Sequence, residues 1–361
     1  CERYKHLLPT LKIMEELALI LRNKRIKRGS INFDFPETKV KVNEYGEPVS
    51  IEKDIRGVSN KMIEEFMLCA NETVAEYAYW SELPFIYRNH EAPSLEKITS
   101  FNSFIMNFGL SFKGKIDKDN PIHPKALQNI LDAVEGTPEE RIVSMNMLHS
   151  LMKAKYSEEN MGHFGLAAKY YCHFTSPIRR YPDLAIHRIL KDFIDGKFEE
   201  NSLLKSYVAA ASIQSSECEI NAEHTERDVD DLMKTAYMRN FVGDSFDGVV
   251  ANVMSFGMFV ELENSVEGLI RAENMTDDYY IYEESTASLV GKRKGKVYKT
   301  GDKVRVVLAR ADIMLRQIDF VLEKDADKKL LKSFKEKKNE HNHDKKKKKK
   351  QQKYKGKKKH G

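Results

Sequence analysis

The stretch His173-Phe174-Thr175-Ser176-Pro177-Ile178-Arg179-Arg180-Tyr181-Pro182-Asp183-Leu184 follows closely on Gly162-His163-Phe164-Gly165-Leu166. Together they are the densest polar cluster in the chain. Pro177 and Pro182 define a stiff turn that ends where a helix over 183–195 is predicted to begin. Such a turn presents the Thr175 and Ser176 hydroxyls, free backbone N–H groups and the guanidinium groups of Arg179 and Arg180 together. These are phosphate-binding groups. The structural alternative is that Arg180 simply pairs with a carboxylate such as Asp183.

Upstream of this cluster the pattern is mostly helical. Leu7, Leu11, Met14, Leu17, Ala18 and Leu21 recur at helical spacing, and the run Lys24-Arg25-Ile26-Lys27-Arg28 closes the helix before Gly29. A hairpin is expected from Lys39-Val40-Lys41-Val42, the turn Asn43-Glu44-Tyr45-Gly46, and Val49-Ser50-Ile51. A helix over 58–80 is expected to bury Ile63, Phe66, Met67, Ala70, Val74 and Tyr77, with Trp80 in helix packing. Prolines at 84, 93, 121, 124 and 138 cut the next stretch into shorter helices. Residues 200–240 read as one long helix with Leu204, Val208, Ala211, Ser215, Cys218, Ala222, Val229 and Met233 as its core stripe.

From Phe241 the pattern changes to short alternating strands at 249–253, 258–262, 268–270, 303–307 and 317–321. Five strands with Gly248, Gly257, Gly268 and Gly301 near their ends predict a small Greek-key barrel of OB type. Period-two geometry sets Phe259 and Glu261 on one face, with Val260 and Leu262 on the other as core. An outward Phe259 beside Phe256 would make a stacking platform for unpaired bases. The alternative places both rings in the core.

The chain has 361 residues, 41% of them apolar, enough for two or three domains with real cores. No apolar run approaches the ~18 residues of a spanning helix, so no membrane partner is expected. Cys1, Cys69, Cys172 and Cys218 are far apart with no CxxC pair, which argues against a disulfide framework or a zinc site and for a reduced cytoplasm. Cys172 and Cys218 are expected to be buried. The net charge of +5 hides an asymmetry: residues 324–361 hold 18 Lys and 5 acidic residues, a tail of +13 behind a body of −8. A block such as Lys345–Lys350 repels itself and suits polyanions, so a disordered tail with weak, sequence-blind nucleic-acid contact is expected. His341 and His343 in that tail are read as incidental.

Two resemblances follow from these residues. Gly248-Val249-Val250, Phe256 to Leu262 and Glu267-Gly268-Leu269-Ile270 resemble an S1 RNA-binding domain over about 243–323. That resemblance implies that Phe256 and Phe259 stack on RNA, with Asp312 and Arg316 at the polar edge of the same face and Arg271 where the family often has His. The motif at 162–184 closely resembles the RNB exoribonucleases, the ribonuclease II and R family, as do Arg28–Asp34, Ile63–Glu72 and Glu226–Val229. The implied fold is α+β: the C-terminal part of an RNB catalytic domain (mixed sheet with helices) at 1–240, the S1 barrel at 241–323, and the tail.

The implied activity is processive 3′→5′ hydrolysis of single-stranded RNA to nucleoside 5′-monophosphates, by a protein expected to be monomeric. Arg179 would serve the scissile phosphate and Glu226 the 3′-terminal nucleotide. Thr175, Ser176, Pro177 and Arg180 would line that end of the channel, Glu64 would be a polar channel residue, and Phe33 would cap the far end of the stacked bases. The cofactor implied is Mg2+, held in the family by an aspartate loop of the form D-x5-D-x-D-D. That loop is missing here, and the chain starts at Cys1 and not Met, so an N-terminally truncated, inactive fragment is expected. Asp228, Asp230 and Asp231 do not replace the loop, because a helix spreads them over about 0°, 200° and 300°. The alternative is a non-catalytic single-stranded RNA-binding protein.

Overall fold

The computed structural model describes residues 2–33, 37–54, 56–112, 122–137, 139–198 and 202–326. The Lys-rich tail beyond Ala326 lies outside them. In chain order the elements are α1 (Leu8–Arg28), β1 (Glu37–Val42), β2 (Pro48–Asp54), α2 (Val58–Trp80), β3 (Tyr87–Asn89), α3 (Leu95–Met106), α4 (Pro124–Val134), α5 (Glu140–Ser150), β4 (Lys155–Ser157), α6 (Tyr181–Ile194) and α7 (Ser202–Met238). The barrel region adds β5 (Ser245–Met254), β6 (Gly257–Leu262), β7 (Glu267–Arg271), β8 (Tyr280–Glu283), β9 (Ser288–Gly291), β10 (Val297–Lys299), β11 (Lys303–Asp312) and β12 (Gln317–Leu322). Helices followed by a mostly antiparallel barrel make the chain α+β.

Contacts divide the chain into two units, 1–35 with 55–224 and 36–54 with 225–361. The division falls inside α7. The first unit is helical around a two-stranded β3–β4 ladder. One of its clusters gathers Phe85, Ile86, Ile186 and Val208, and another gathers Ile98, Phe101, Leu127 and Met147. In the second unit β11-β12-β7-β6-β5 closes into a barrel, with β12 and β7 parallel. Sequence order puts the β1–β2 hairpin in the first domain, yet Ile51 and Val40 pack with the barrel core of Val260, Ile270 and Phe320. A three-stranded sheet, β10-β9-β8, also joins this unit and was not anticipated.

The hydropathy stripes on the helices need correction. On α2 the buried residues are Met62, Glu65, Asn71, Ala75 and Ala78, while Ile63 and Tyr77 are exposed. The buried face carries satisfied polar groups, which an apolar count cannot see. Glu65 accepts a forked pair of bonds from buried Arg25, whose Nη1 also donates to Ser30 Oγ at 2.8 Å. Asn71 donates to the Tyr171 hydroxyl at 3.1 Å and accepts the Phe174 N–H at 3.0 Å. On α1 only Ala18 and Arg25 are buried, and Leu7, Leu11 and Leu17 are exposed. On α7 residues 221–229 are all exposed, including Ala222 and Val229, and so is Cys218. Cys172 is buried as expected, whereas Trp80 is exposed with edge contacts to Tyr79 and Tyr170.

The Arg25–Glu65 pair joins α1 to α2 in the interior, so breaking it is expected to be costly. Arg25→Met leaves the Glu65 carboxylate buried without its partner and should lower unfolding free energy by about 3–5 kcal/mol. Arg25→Met with Glu65→Met should recover much of that loss. Urea unfolding checks both; a single-variant cost under about 1 kcal/mol would make the pair behave like a surface one.

Candidate nucleic-acid interface

The turn at 175–180 is built by one carboxylate. Asp183 lies in the first turn of α6 and is fully buried. Its Oδ1 accepts the Ser176 N–H at 2.8 Å and the Arg180 Nη2 at 2.8 Å. The Ser176 carbonyl then accepts the N–H groups of Arg179 at 3.2 Å and Arg180 at 3.1 Å. The N–H groups of Ser176, Arg179 and Arg180 are therefore consumed inside the turn and are not free for phosphate, contrary to the sequence expectation. Arg180 is the structural partner of Asp183. Arg179 is different: it is exposed, and its guanidinium makes no hydrogen bond or ion pair among the described residues. The Thr175 hydroxyl is buried with no partner among them either. Pro177 is half-buried in the turn and Ile178 beside it is fully exposed.

Behind the turn runs a row of buried and half-buried rings. His90 meets His163 at 5.0 Å, His163 meets Tyr171 at 5.0 Å, Tyr171 meets His173 at 5.8 Å and His173 meets Tyr156 at 5.6 Å, all edge-on. Arg88 covers the Tyr156 ring at 4.6 Å and pairs with Glu219. The motif residues 162–166 are held to this row by main chain. His90 Nδ1 accepts the Gly165 N–H at 3.1 Å, and Arg28 reaches both Glu72 oxygens and the Leu166 carbonyl. Burial depresses His163 to about 3 and His173 to about 2, with nearby arginines adding to the shift at His173. Burial pushes the Tyr156 phenol up to about 12. These imidazoles are neutral at physiological pH and serve as rigid polar packing, not as proton carriers.

Of the other site candidates in this unit, Phe33 is half-buried against the cluster of Ile31, Ile98 and Phe101. Glu64 is ion-paired with Arg56. Glu226 stands exposed on α7 in the second unit.

On the barrel, Met258, Val260 and Leu262 are buried while Phe259 and Glu261 are half-buried, the expected alternation. Phe256 is 53% exposed and meets Phe259 edge-on at 6.2 Å. The bend between them needs Gly257: at φ +155° a Cβ would sit 2.2 Å from the Ile270 carbonyl oxygen. Arg271, opposite Gly257 in the ladder, lies 4.0 Å from Asp319. Asp312 pairs with Arg310 and caps the next turn through the N–H groups of Met314 and Leu315 at 3.1 Å. Arg316 pairs with Asp228 of α7 at 2.8 Å. Asp228 and Asp230 are thus each tied to a cation, Asp230 to Lys234 at 2.7 Å. Among the described residues no three His, Cys, Asp or Glu side chains converge on a point that could hold a metal. The donors for Mg2+ do not fit here. No described helix is long and apolar enough to cross a membrane.

The candidate residues thus lie on two separate structures, one a turn at a helix start and the other an OB-type barrel. The RNB domain model matches residues 2–196 and the S1 RNA binding domain model matches 239–322. The chain belongs to the RNB family. Several of its relatives are named ribonuclease R. It is 42% identical over 321 residues to ribonuclease R 1 of Lactococcus lactis, covering 88% of this chain and 39% of that protein. It is 40% identical over 328 residues to ribonuclease R of Aquifex aeolicus, covering 91% of this chain and 46% of that one. A solved structure of Mycoplasma genitalium RNase R in complex with ribose methylated single-stranded RNA matches with TM-score 0.80 at 30% identity. That match covers 88% of this chain and 50% of the other. The chain spans half or less of the length of these relatives.

The depressed imidazoles have a measurable consequence. Their folded values lie below the ordinary 6.5, so the unfolded chain binds more protons. Stability is therefore fully present above about pH 6.5 and falls as pH drops below it, by up to about 1.4 kcal/mol per pH unit for each imidazole. Thermal melts of the protein between pH 7 and 5 should show this fall, and His173→Gln should flatten it. An unchanged slope in that variant would mean His173 titrates normally.

Proposed function

We propose that this chain supplies the RNA-holding part of a processive 3′→5′ hydrolytic exoribonuclease. Its substrate is single-stranded RNA, degraded to nucleoside 5′-monophosphates in the cytoplasm by a monomeric protein. The observation that carries this reading is Arg179: an exposed guanidinium without an internal partner among the described residues, on a turn fixed by buried Asp183. A planar fork carried on a fixed turn suits charge developing on phosphoryl oxygens at the scissile bond. In this reading Glu226 contacts the 3′-terminal nucleotide. Thr175, Ser176 and Pro177 shape the channel end, with Arg180 as the brace behind them. Phe33 and Glu64 lie farther along the strand, and Phe256, Phe259, Arg271, Asp312 and Arg316 form the barrel's contact edge.

Hydrolysis by this family resemblance uses Mg2+, whose ligands the reading assigns outside the described residues. The same carboxylate arrangement supports a second reading, a single-stranded RNA-binding protein without catalysis. The two separate on one assay. The purified chain is expected to bind a single-stranded oligonucleotide and to release no mononucleotides with Mg2+. Release of mononucleotides would show that the ligands lie within this chain. Phe256→Ala should weaken binding by about 1–3 kcal/mol with little change in the salt slope, because stacking releases few counterions. Phe256 is half exposed, so the barrel should keep its circular dichroism. Unaltered affinity would remove the aromatic edge from the RNA path.

A further inference from the structure

The barrel unit carries a second charged feature away from its aromatic edge. Residues 292–303, Lys-Arg-Lys-Gly-Lys-Val-Tyr-Lys-Thr-Gly-Asp-Lys, hold six basic side chains and one acidic one. They form the β9–β10 turn, β10 and the entry to β11. The turn is pinned from inside by Asp278, whose side chain is fully buried. Its carboxylate accepts the N–H groups of Lys294 at 2.6 Å, Tyr279 at 2.7 Å and Arg293 at 3.0 and 3.1 Å. Those bonds, the Lys294 N–H first, hold its pKa below the usual carboxylate range. The carboxylate is thus spent on main chain, and the basic side chains point outward. The Arg293 side chain is 82% exposed although it lies 3.7 Å from Asp278.

The neighbouring acids are also occupied. Asp302 accepts the Lys299 N–H at 2.8 Å, Asp247 and Glu323 pair with Arg305, and Asp277 pairs with Lys324. Lys294, Lys296, Lys299 and Lys303 have no ion pair among the described residues. Beneath them lies a cleft of about 470 Å3 lined by Lys296, Tyr298, Lys303, Arg305 and Lys324. The Lys296 ammonium sits 4.6 Å from the Tyr298 ring centre, and the buried Tyr298 hydroxyl has no partner among the described residues. Lys303 opens β11 and Asp312 closes it. Lys303 faces Val249 of β5, and Asn252, three residues on, faces Phe259 of β6, so the ladder sets the hairpin base roughly 15 Å from Phe259.

We propose that this pinned basic hairpin is a second contact for the phosphodiester backbone of single-stranded RNA, distinct from the Phe256 and Phe259 edge. The inference rests on the RNA-binding reading above. Four ammonium groups with no ion pair among the described residues, on a turn pinned by main-chain bonds, suit phosphates spaced along a strand. Contacts to phosphates carry no sequence information, so the contact is sequence-blind. Its affinity comes from counterion release and is therefore salt-dependent. It lengthens the RNA path on the barrel unit past the Phe256 and Phe259 edge.

The test uses the whole chain with Lys294→Ala, Lys296→Ala and Lys299→Ala combined. All three side chains are exposed, so the barrel's circular dichroism should be retained. Binding of labelled uridine oligonucleotides is measured across salt concentrations. One probe has about 20 nucleotides; the other has about four, the lower limit for one OB-type site. With the long probe, the log–log salt slope should become shallower by about 2, at about 0.7 per phosphate contact, and affinity at low salt should fall at least about tenfold. The short probe, with few phosphates left over for the hairpin, should lose clearly less than the long one. An unchanged slope with the long probe in a folded variant overturns the proposal. An equal loss with both probes overturns it too, since the charge would then act at long range and not as an added contact. If the parent chain binds neither probe, the RNA-binding reading itself fails, a result separable from loss in the variant alone.

Discussion

The geometry of the turn at 175–180 depends on a single buried carboxylate. Asp183 has no exposed surface, and a lone buried charge would be expensive. Its Oδ1 is instead satisfied by the Ser176 N–H and the Arg180 guanidinium. Those two bonds fix the backbone at Ser176, whose own N–H goes to Asp183 and whose carbonyl takes the Arg179 and Arg180 N–H groups that an open turn would offer to an anion. The adjacent arginines thereby acquire opposite roles. Arg180 neutralises the interior, while Arg179, one residue earlier, is left exposed. A carboxylate at the start of α6 also suits the positive end of that helix.

The same economy recurs through the helical unit. Arg25 and Glu65 join α1 to α2, Arg28 and Glu72 join the same helices nearer the 162–166 loop, and Asn71 joins α2 to the segment that leads into the turn. Each is a buried or half-buried polar group whose partner lies far away in sequence. Such pairs contribute little net stability compared with apolar packing, but they allow few alternative registers. The row of neutral imidazoles and tyrosines behind the turn is a further case. It packs as aromatic surface while its polar atoms hold loop main chain.

The barrel unit follows more local rules. Alternation along β6 buries Val260 and Leu262, Gly257 permits the close approach of β7, and Asp278 cages the tip of the basic hairpin. The aromatic edge and the basic hairpin therefore sit on rigid main chain. Neither needs to be ordered when a ligand arrives.

The amino-acid sequence by itself determined the five barrel strands, the β1–β2 hairpin with its Asn43–Gly46 turn, the long helices with the Gly29 stop on α1, and the motif residues around Arg179. Those features are set by neighbours a few positions apart, through strand alternation, turn chemistry and helix capping. Tertiary structure alone decided which face of α2 is buried, because Glu65 and Asn71 are interior only by virtue of Arg25 and Tyr171. It also decided that the turn's N–H groups are consumed, that Arg180 and Arg179 differ, that Cys218 and Val229 are exposed, and that Ile51 packs with the barrel. The β8–β10 sheet had a local signal in Tyr280-Ile281-Tyr282 and Val297-Tyr298, but its meaning lies in Asp278, which is linked to the hairpin only in space. The reason is common to all of these. A polar side chain reads as surface until its partner is known, and the partners here are brought together by folding over separations of up to about a hundred residues.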